Sequence, residues 1–375
     1  MKAFTKSLVL LAIISFVFVA CEDNEKDQLV IPAQYDGSNF AANTSTQSAV
    51  RTQLENLTNE AKKGRTPGAV VSADALNQLY TSGTPSLKSI TTTYYDSRLT
   101  GAAGWLAELA KASGGTYTPG TPNGAQGGTY GGYLFDENGL ELEQMMEKGL
   151  FGAAMYNHAV TLADGAITPA TVDQMVSIFG AHPDFPNTNN GSKAANPDKF
   201  LANYAARRDK NDGNGLYSQI KNGFIKLQAA VKAGDDYKTE QNEALTAIFE
   251  AWEKANAATI INYCHSAIAT LSATNPTDAQ KSSALHAYSE GVGFIHGYRG
   301  VSSKYKIITD GQIDEILGLM NAPYNGTPTS YKFATDPVNE LPKLTQVINK
   351  LKTIYKFTDQ EIEDFKKNWV SEQGR

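Results

Sequence analysis

On a helix, a histidine and a glutamate four residues apart face the same way. The segment Leu285-His286-Ala287-Tyr288-Ser289-Glu290-Gly291-Val292-Gly293-Phe294-Ile295-His296-Gly297 sets His286 and Glu290 at that spacing. At 100° per residue, Gly293 and Gly297 fall within about 40° of the same face. The stripe reads His, Glu, Gly, Gly. An imidazole and a carboxylate beside two absent side chains can hold a divalent metal or iron, or a polar ligand. The pattern equally suits a neighbouring helix packed on the glycines, with Glu290 bonded to its backbone or to His286. Spacing alone leaves both readings open. His296 lies about 15 Å further along the helix and cannot share one ion with His286.

Other chemistries find less support. No Gly-x-Ser-x-Gly elbow, Walker-type loop or His-Glu-x-x-His zinc motif occurs. Cys264 sits in the apolar run Ile260-Ile261-Asn262-Tyr263-Cys264 and reads as a buried, inert thiol. Asp136-Glu137-Asn138-Gly139 resembles the start of a calcium loop, but its later oxygen donors are misplaced, so it reads as the cap of the next helix. A binding role is therefore expected ahead of an enzymatic one, and a metallopeptidase ranks last because no complete zinc motif is present. The stretch 114–132 is rich in Gly, Thr, Pro and Tyr and must be a long loop or irregular hairpin. Tyr130 and Tyr133 at its end are the residues to stack on sugar rings, against the plainer reading of tyrosines packed at a loop edge.

The elements that must position these residues are mostly helices. Apolar periodicity predicts helices over 46–63, 73–80, 105–112, 138–162, 169–179, 200–208, 216–233, 237–271, 277–298, 310–320, 340–355 and 358–370. Thr91-Thr92-Thr93-Tyr94-Tyr95 is β-branched and aromatic, and reads as extended. Gly149 and Gly152 lie inside the 138–162 helix, where each costs about 1 kcal/mol against Ala, and so suggest close approach of another backbone. The expected fold is all-α, packed helical bundles with long irregular loops. Residues 36–375 form this body, as one domain or as two bundles divided near 210.

The chain has 375 residues and a formal charge of −6, which excludes the basic face a nucleic-acid binder needs. Its start describes an address. Lys2 and Lys6 precede an apolar run from Leu8 to Ala20, too short to span a bilayer and typical of a secretory signal. Cys21 follows Ala20 directly, as in a lipoprotein signal, and an acidic tether fills 21–35. The expectation is a chain cleaved after residue 20, lipidated on Cys21 and held at the outer membrane, exposed on the cell surface. Its partners would be the membrane through the anchor, and a metal, a glycan or a surface protein.

Several stretches resemble an uncharacterised family of helical Bacteroidetes lipoproteins, a domain of unknown function. They are Asp136-Glu137-Asn138-Gly139-Leu140-Glu141, Glu147-Lys148-Gly149-Leu150-Phe151-Gly152-Ala153, Phe179-Gly180 with Asp184-Phe185-Pro186, and residues 286–295. The family is distantly similar to imelysin-like proteins, helical two-bundle proteins linked to iron uptake and once described as peptidases. The resemblance implies an imelysin-like fold and a metal or its carrier as ligand. The imelysin signature Gly-x-His-x-x-Glu is altered here, since three residues separate His286 from Glu290. The family's His-Trp-Asp-Glu run is replaced by Thr171-Val172-Asp173-Gln174, so the resemblance adds only Asp173 to a metal set with His286 and Glu290.

Overall fold

The computed structural model describes residues 27–121 and 126–375. The signal segment, Cys21 and the start of the tether lie outside them. The chain runs through α1 (Phe40–Asn43), α2 (Ser45–Lys62), α3 (Ala73–Thr81), α4 (Leu87–Ile90), α5 (Thr93–Leu99) and α6 (Trp105–Ala112). An antiparallel hairpin follows, β1 (Gly128–Tyr130) and β2 (Tyr133–Phe135). Then come α7 (Leu142–Leu150), α8 (Asn157–Asp164), α9 (Pro169–Phe179), α10 (Phe200–Arg208), α11 (Leu216–Ala233) and α12 (Lys238–Leu271). The chain closes with α13 (Asp278–His296), α14 (Asp310–Leu319), α15 (Lys332–Thr335), α16 (Pro337–Tyr355), α17 (Asp359–Asp364) and α18 (Trp369–Gln373). This is the all-α architecture that the periodicity implies.

Helix α12 is the axis of the packing, with α10, α11, α13 and α16 around it. Its middle buries Phe249, Trp252, Ala258 and Ile260 among others, so it is apolar on nearly every side, as a central helix must be. One buried apolar cluster runs from Tyr35 to Val370. The break expected near 210 is an irregular segment at 209–215, and α10 before it packs on α11 and α12 beyond it. Among the described residues no helix is long and apolar enough to cross a membrane.

Four expectations are corrected by local hydrogen bonding. The 91–95 segment is not extended: the Thr92 hydroxyl accepts from Tyr95 N at 3.3 Å and caps α5. The helix expected from 138 starts at Leu142, because Asp136 Oδ1 accepts from the backbone N–H of Asn138 (2.9 Å) and Leu140 (2.8 Å) around Gly139 at φ +82°. Asp136 thus fixes a turn rather than capping the helix. The same helix is interrupted by a π-helical turn, Phe151–Tyr156, and Ala153 O accepts from Thr92 N at 2.9 Å. The 358–370 helix is two short ones, since Asn368 caps α18 and the Trp369 indole donates to Asp364 O at 3.1 Å.

Candidate functional site

The hairpin sets the roof of the site. Gly131 and Gly132 supply its two-residue turn, at φ +55° and +93°. The turn is docked on the start of α13: Ser282 donates to Gly131 O at 3.2 Å, and the Tyr130 hydroxyl donates to Asp278 at 2.9 Å. That docking stacks the Tyr133 ring on His286, centroids 4.3 Å apart and planes 15° from parallel.

Beneath the stack, α7 and α13 meet almost without intervening side chains. A Cβ on Gly293 would lie 2.6 Å from Gln144 O, and one on Gly297 only 2.3 Å from Gly149 O. A Cβ on Gly149 would strike the Tyr95 hydroxyl, which donates to Met145 O at 2.5 Å. The glycines of the stripe are therefore the seam between two helices. This contact brings the charges of α7 against those of α13. His286 Nδ1 is 2.5 Å from Glu141, and its Nε2 is 3.7 Å from Glu290. Lys148 lies 3.3 Å from Glu290 and 2.8 Å from Glu147. Arg65, in the 3-10 turn after α2, reaches Glu141 at 2.8 Å and Glu143 at 2.5 Å. Lys62 stands 3.8 Å from Glu143 and 3.7 Å from Glu147. The Tyr204 hydroxyl donates to Glu290 at 3.3 Å.

Burial makes the charge balance strict. Glu141 and Glu143 share one guanidinium. Burial, with Glu141 second, pushes the Glu143 carboxyl up to about 8, so this pair keeps a proton at neutral pH. Burial would also raise Glu147, but Lys148, Lys62 and Arg65 outweigh it and hold that carboxyl below its usual range. Lys148 is held charged by Glu147 and Glu290 against the cost of its burial. Lys62, Arg65 and Lys148 are thus interleaved with Glu141, Glu143, Glu147 and Glu290. Every member has a partner within the cluster.

The metal set expected from sequence is not assembled. Asp173 has other partners: its carboxylate accepts from the Tyr35 hydroxyl (2.5 Å) and the Asn43 amide (2.7 Å). Among the described residues no three His, Cys, Asp or Glu side chains are placed to hold a metal ion. The tyrosines expected to stack on sugars are engaged as well. Tyr130 packs edge-on against Tyr117 and Phe135, and Tyr133 carries His286, with Arg65 over its ring at 5.1 Å. Cys264 is buried and free, its thiol pushed up to about 12 by burial.

On the other side of the 136–142 turn a cleft of about 410 Å³ opens between α5, α6 and the loop after α14. Arg98, Trp105, Glu108, Gln126, Glu137 and Asn138 line it, and His296 closes its inner end. His296 shares a 2.5 Å hydrogen bond with the Tyr94 hydroxyl. The rings of Tyr95 and Trp105 stand edge-on to it. Burial, then Arg98 and Arg299, hold its pKa down to about 3, so it is neutral. Arg98 lies 5.4 Å over Trp105, and its Nε is buried without a hydrogen-bond partner.

The spacing argument found His286 and Glu290. The resemblance drew attention to Glu141, Glu147 and Lys148 as part of a motif. Arg65, Lys62, Arg98, Trp105, Glu108 and Gln126 carry no such signal, for they come together with the rest only through the fold.

Residues 179–364 match a family model described as a domain of unknown function (DUF4856). The matched stretch carries His286 and Glu290 but not α2, α7 or the hairpin that meet them. No curated protein and no solved structure matches the chain.

Proposed function

We propose that this chain is a non-catalytic binding protein, and that the cleft beside the 136–142 turn takes a small sugar. The observation that carries this reading is the lining of the cleft. A guanidinium, two amides and the carboxylates of Glu108, Asp136 and Glu137 surround an indole, in a volume typical of small-molecule sites. Sugar hydroxyls both donate and accept, and this lining offers both. Arg98 brings a buried Nε that no protein group satisfies. The charge cluster lies apart from this lining and is built of ion pairs among its own members, Arg65 with Glu141 and Glu143 and Lys148 with Glu147 and Glu290. On this reading the chain is a surface lipoprotein with an imelysin-like body, displayed by a lipid on Cys21; palmitate labelling that persists in Cys21→Ser would refute the anchor.

The test is calorimetric titration with a panel of neutral and acidic monosaccharides. At least one should bind saturably, and Arg98→Ala should weaken it about 10- to 100-fold with little change in melting temperature. A panel without a binder, or an unchanged affinity in Arg98→Ala, would overturn the assignment.

A further inference from the structure

Arg207 and Arg208 end α10, and neither pairs with a carboxylate among the described residues. Arg208 is only 6% exposed. Its Nη1 donates to Phe365 O at 2.8 Å, and its Nε is buried without a partner. Burial and the neighbouring Arg207 pull its pKa down to about 10, and the groups that oppose them are tyrosines, Tyr263 and Tyr204. Arg207 lies over the Tyr204 ring at 5.0 Å, with its Nη2 3.1 Å from the Asn189 side-chain amide. Two acids at the end of α17 have other partners: Glu363 pairs with Lys366 at 2.7 Å, and Asp364 with Lys210.

Against this pair lies an open cleft of about 590 Å³. Arg207, Arg208, His265 and Lys366 line it with Asn262 and Asn368, and no acidic residue does. His265 Nε2 is buried without a partner. A buried cation without a counter-charge is costly, and an anion in the cleft would remove that cost. Guanidinium forks match phosphate oxygens in pairs, while an ammonium and amides supply single donors.

We propose that this cleft binds a phosphate group, gripped by Arg207 and Arg208 with Lys366, His265 and the two amides around it. The group can belong to a soluble phosphate ester or to a phospholipid headgroup, and the two sources can be told apart.

The test uses the full chain. Inorganic phosphate and glycerol 3-phosphate are titrated calorimetrically, and sedimentation is compared with phosphatidylglycerol vesicles and with phosphatidylcholine vesicles. Saturable binding of the soluble anions assigns a free ester; binding confined to phosphatidylglycerol vesicles assigns a headgroup. In either case Arg207→Ala and Lys366→Ala should each weaken binding about 10-fold or more. Arg208 is left in place because it also holds Phe365 O. The His265 pKa, followed by NMR, should rise when phosphate is added, against the present lowering by burial and Lys366, which Glu363 partly opposes. Absence of saturable binding to all probes, or binding that both variants leave unchanged, would overturn the proposal.

Discussion

Glu143 and Glu147 stand one turn apart on α7, and their surroundings push them in opposite directions. Burial, and then Glu141 competing for the same guanidinium, push the Glu143 carboxyl up to about 8. Glu147 is ionised because Lys148 is buried against it. Replacing Glu143 by Gln should therefore raise stability at pH 7, since the unfolded chain gains from ionising Glu143 at that pH and gains nothing from a Gln. Replacing Glu147 by Gln strips part of the counter-charge from Lys148 and should cost about 2–4 kcal/mol, discounted for its partial exposure. The pH dependence follows from Glu143. Its folded pKa lies above the unfolded value of about 4.3. Its contribution is therefore full below the unfolded value and is lost as pH rises through about 8. Chemical denaturation at pH 7 and at pH 8.5 should show wild type losing stability. Glu143→Gln should lose less; equal losses in the two proteins would refute the retained proton. Sequence indicated only half of this. His286 and Glu290 were legible because helical spacing fixes which residues share a face. Arg65 was not, since nothing local says that the turn after α2 lands on Glu141.

At the level of elements, the glycines separate two outcomes. Gly297 is helical in backbone, yet an added methyl would meet the Gly149 carbonyl, which cannot yield without moving α7. Gly297→Ala should destabilise by about 2–4 kcal/mol. Gly318 sits late in α14 with nothing within 4 Å of a built Cβ, and Gly318→Ala should stabilise by about 0.5–1 kcal/mol. Thermal unfolding of the two variants checks both signs. Helices with strong patterns were legible to within a residue or two. The 169–179, 200–208 and 216–233 helices match their observed bounds. Errors fell where side chains rather than periodicity decide. Thr92 converts a β-prone run into a capped helix, and Asp136 delays α7 by holding two backbone N–H groups.

Across the whole molecule, the core is continuous from Tyr35 to Val370. The segment before α1 is tied down along this body. Asp36 N donates to the Gln228 side chain, whose amide donates back to Asp36 O, each at 2.9 Å. Tyr35 reaches Asp173 on α9. Because α10 before 209–215 packs on α11 and α12 beyond it, the described body should unfold in one cooperative transition. Its calorimetric and van't Hoff enthalpies should agree; two resolved transitions would mean two separable bundles. Composition and periodicity were enough for the fold class. They could not give the continuity, because the contacts that bridge 209–215 lie between residues far apart in sequence.

The seam between α7 and α13 also limits how this sequence can change over generations. Gly149 and Gly297 face one another, so a larger residue at either meets the other's backbone or Tyr95. No order of single substitutions enlarges both positions without first passing through a clash. Drift is steered away from the seam and toward the loops, while the spacing between the histidine and the acids beside it stays fixed by two residues that have no side chain at all.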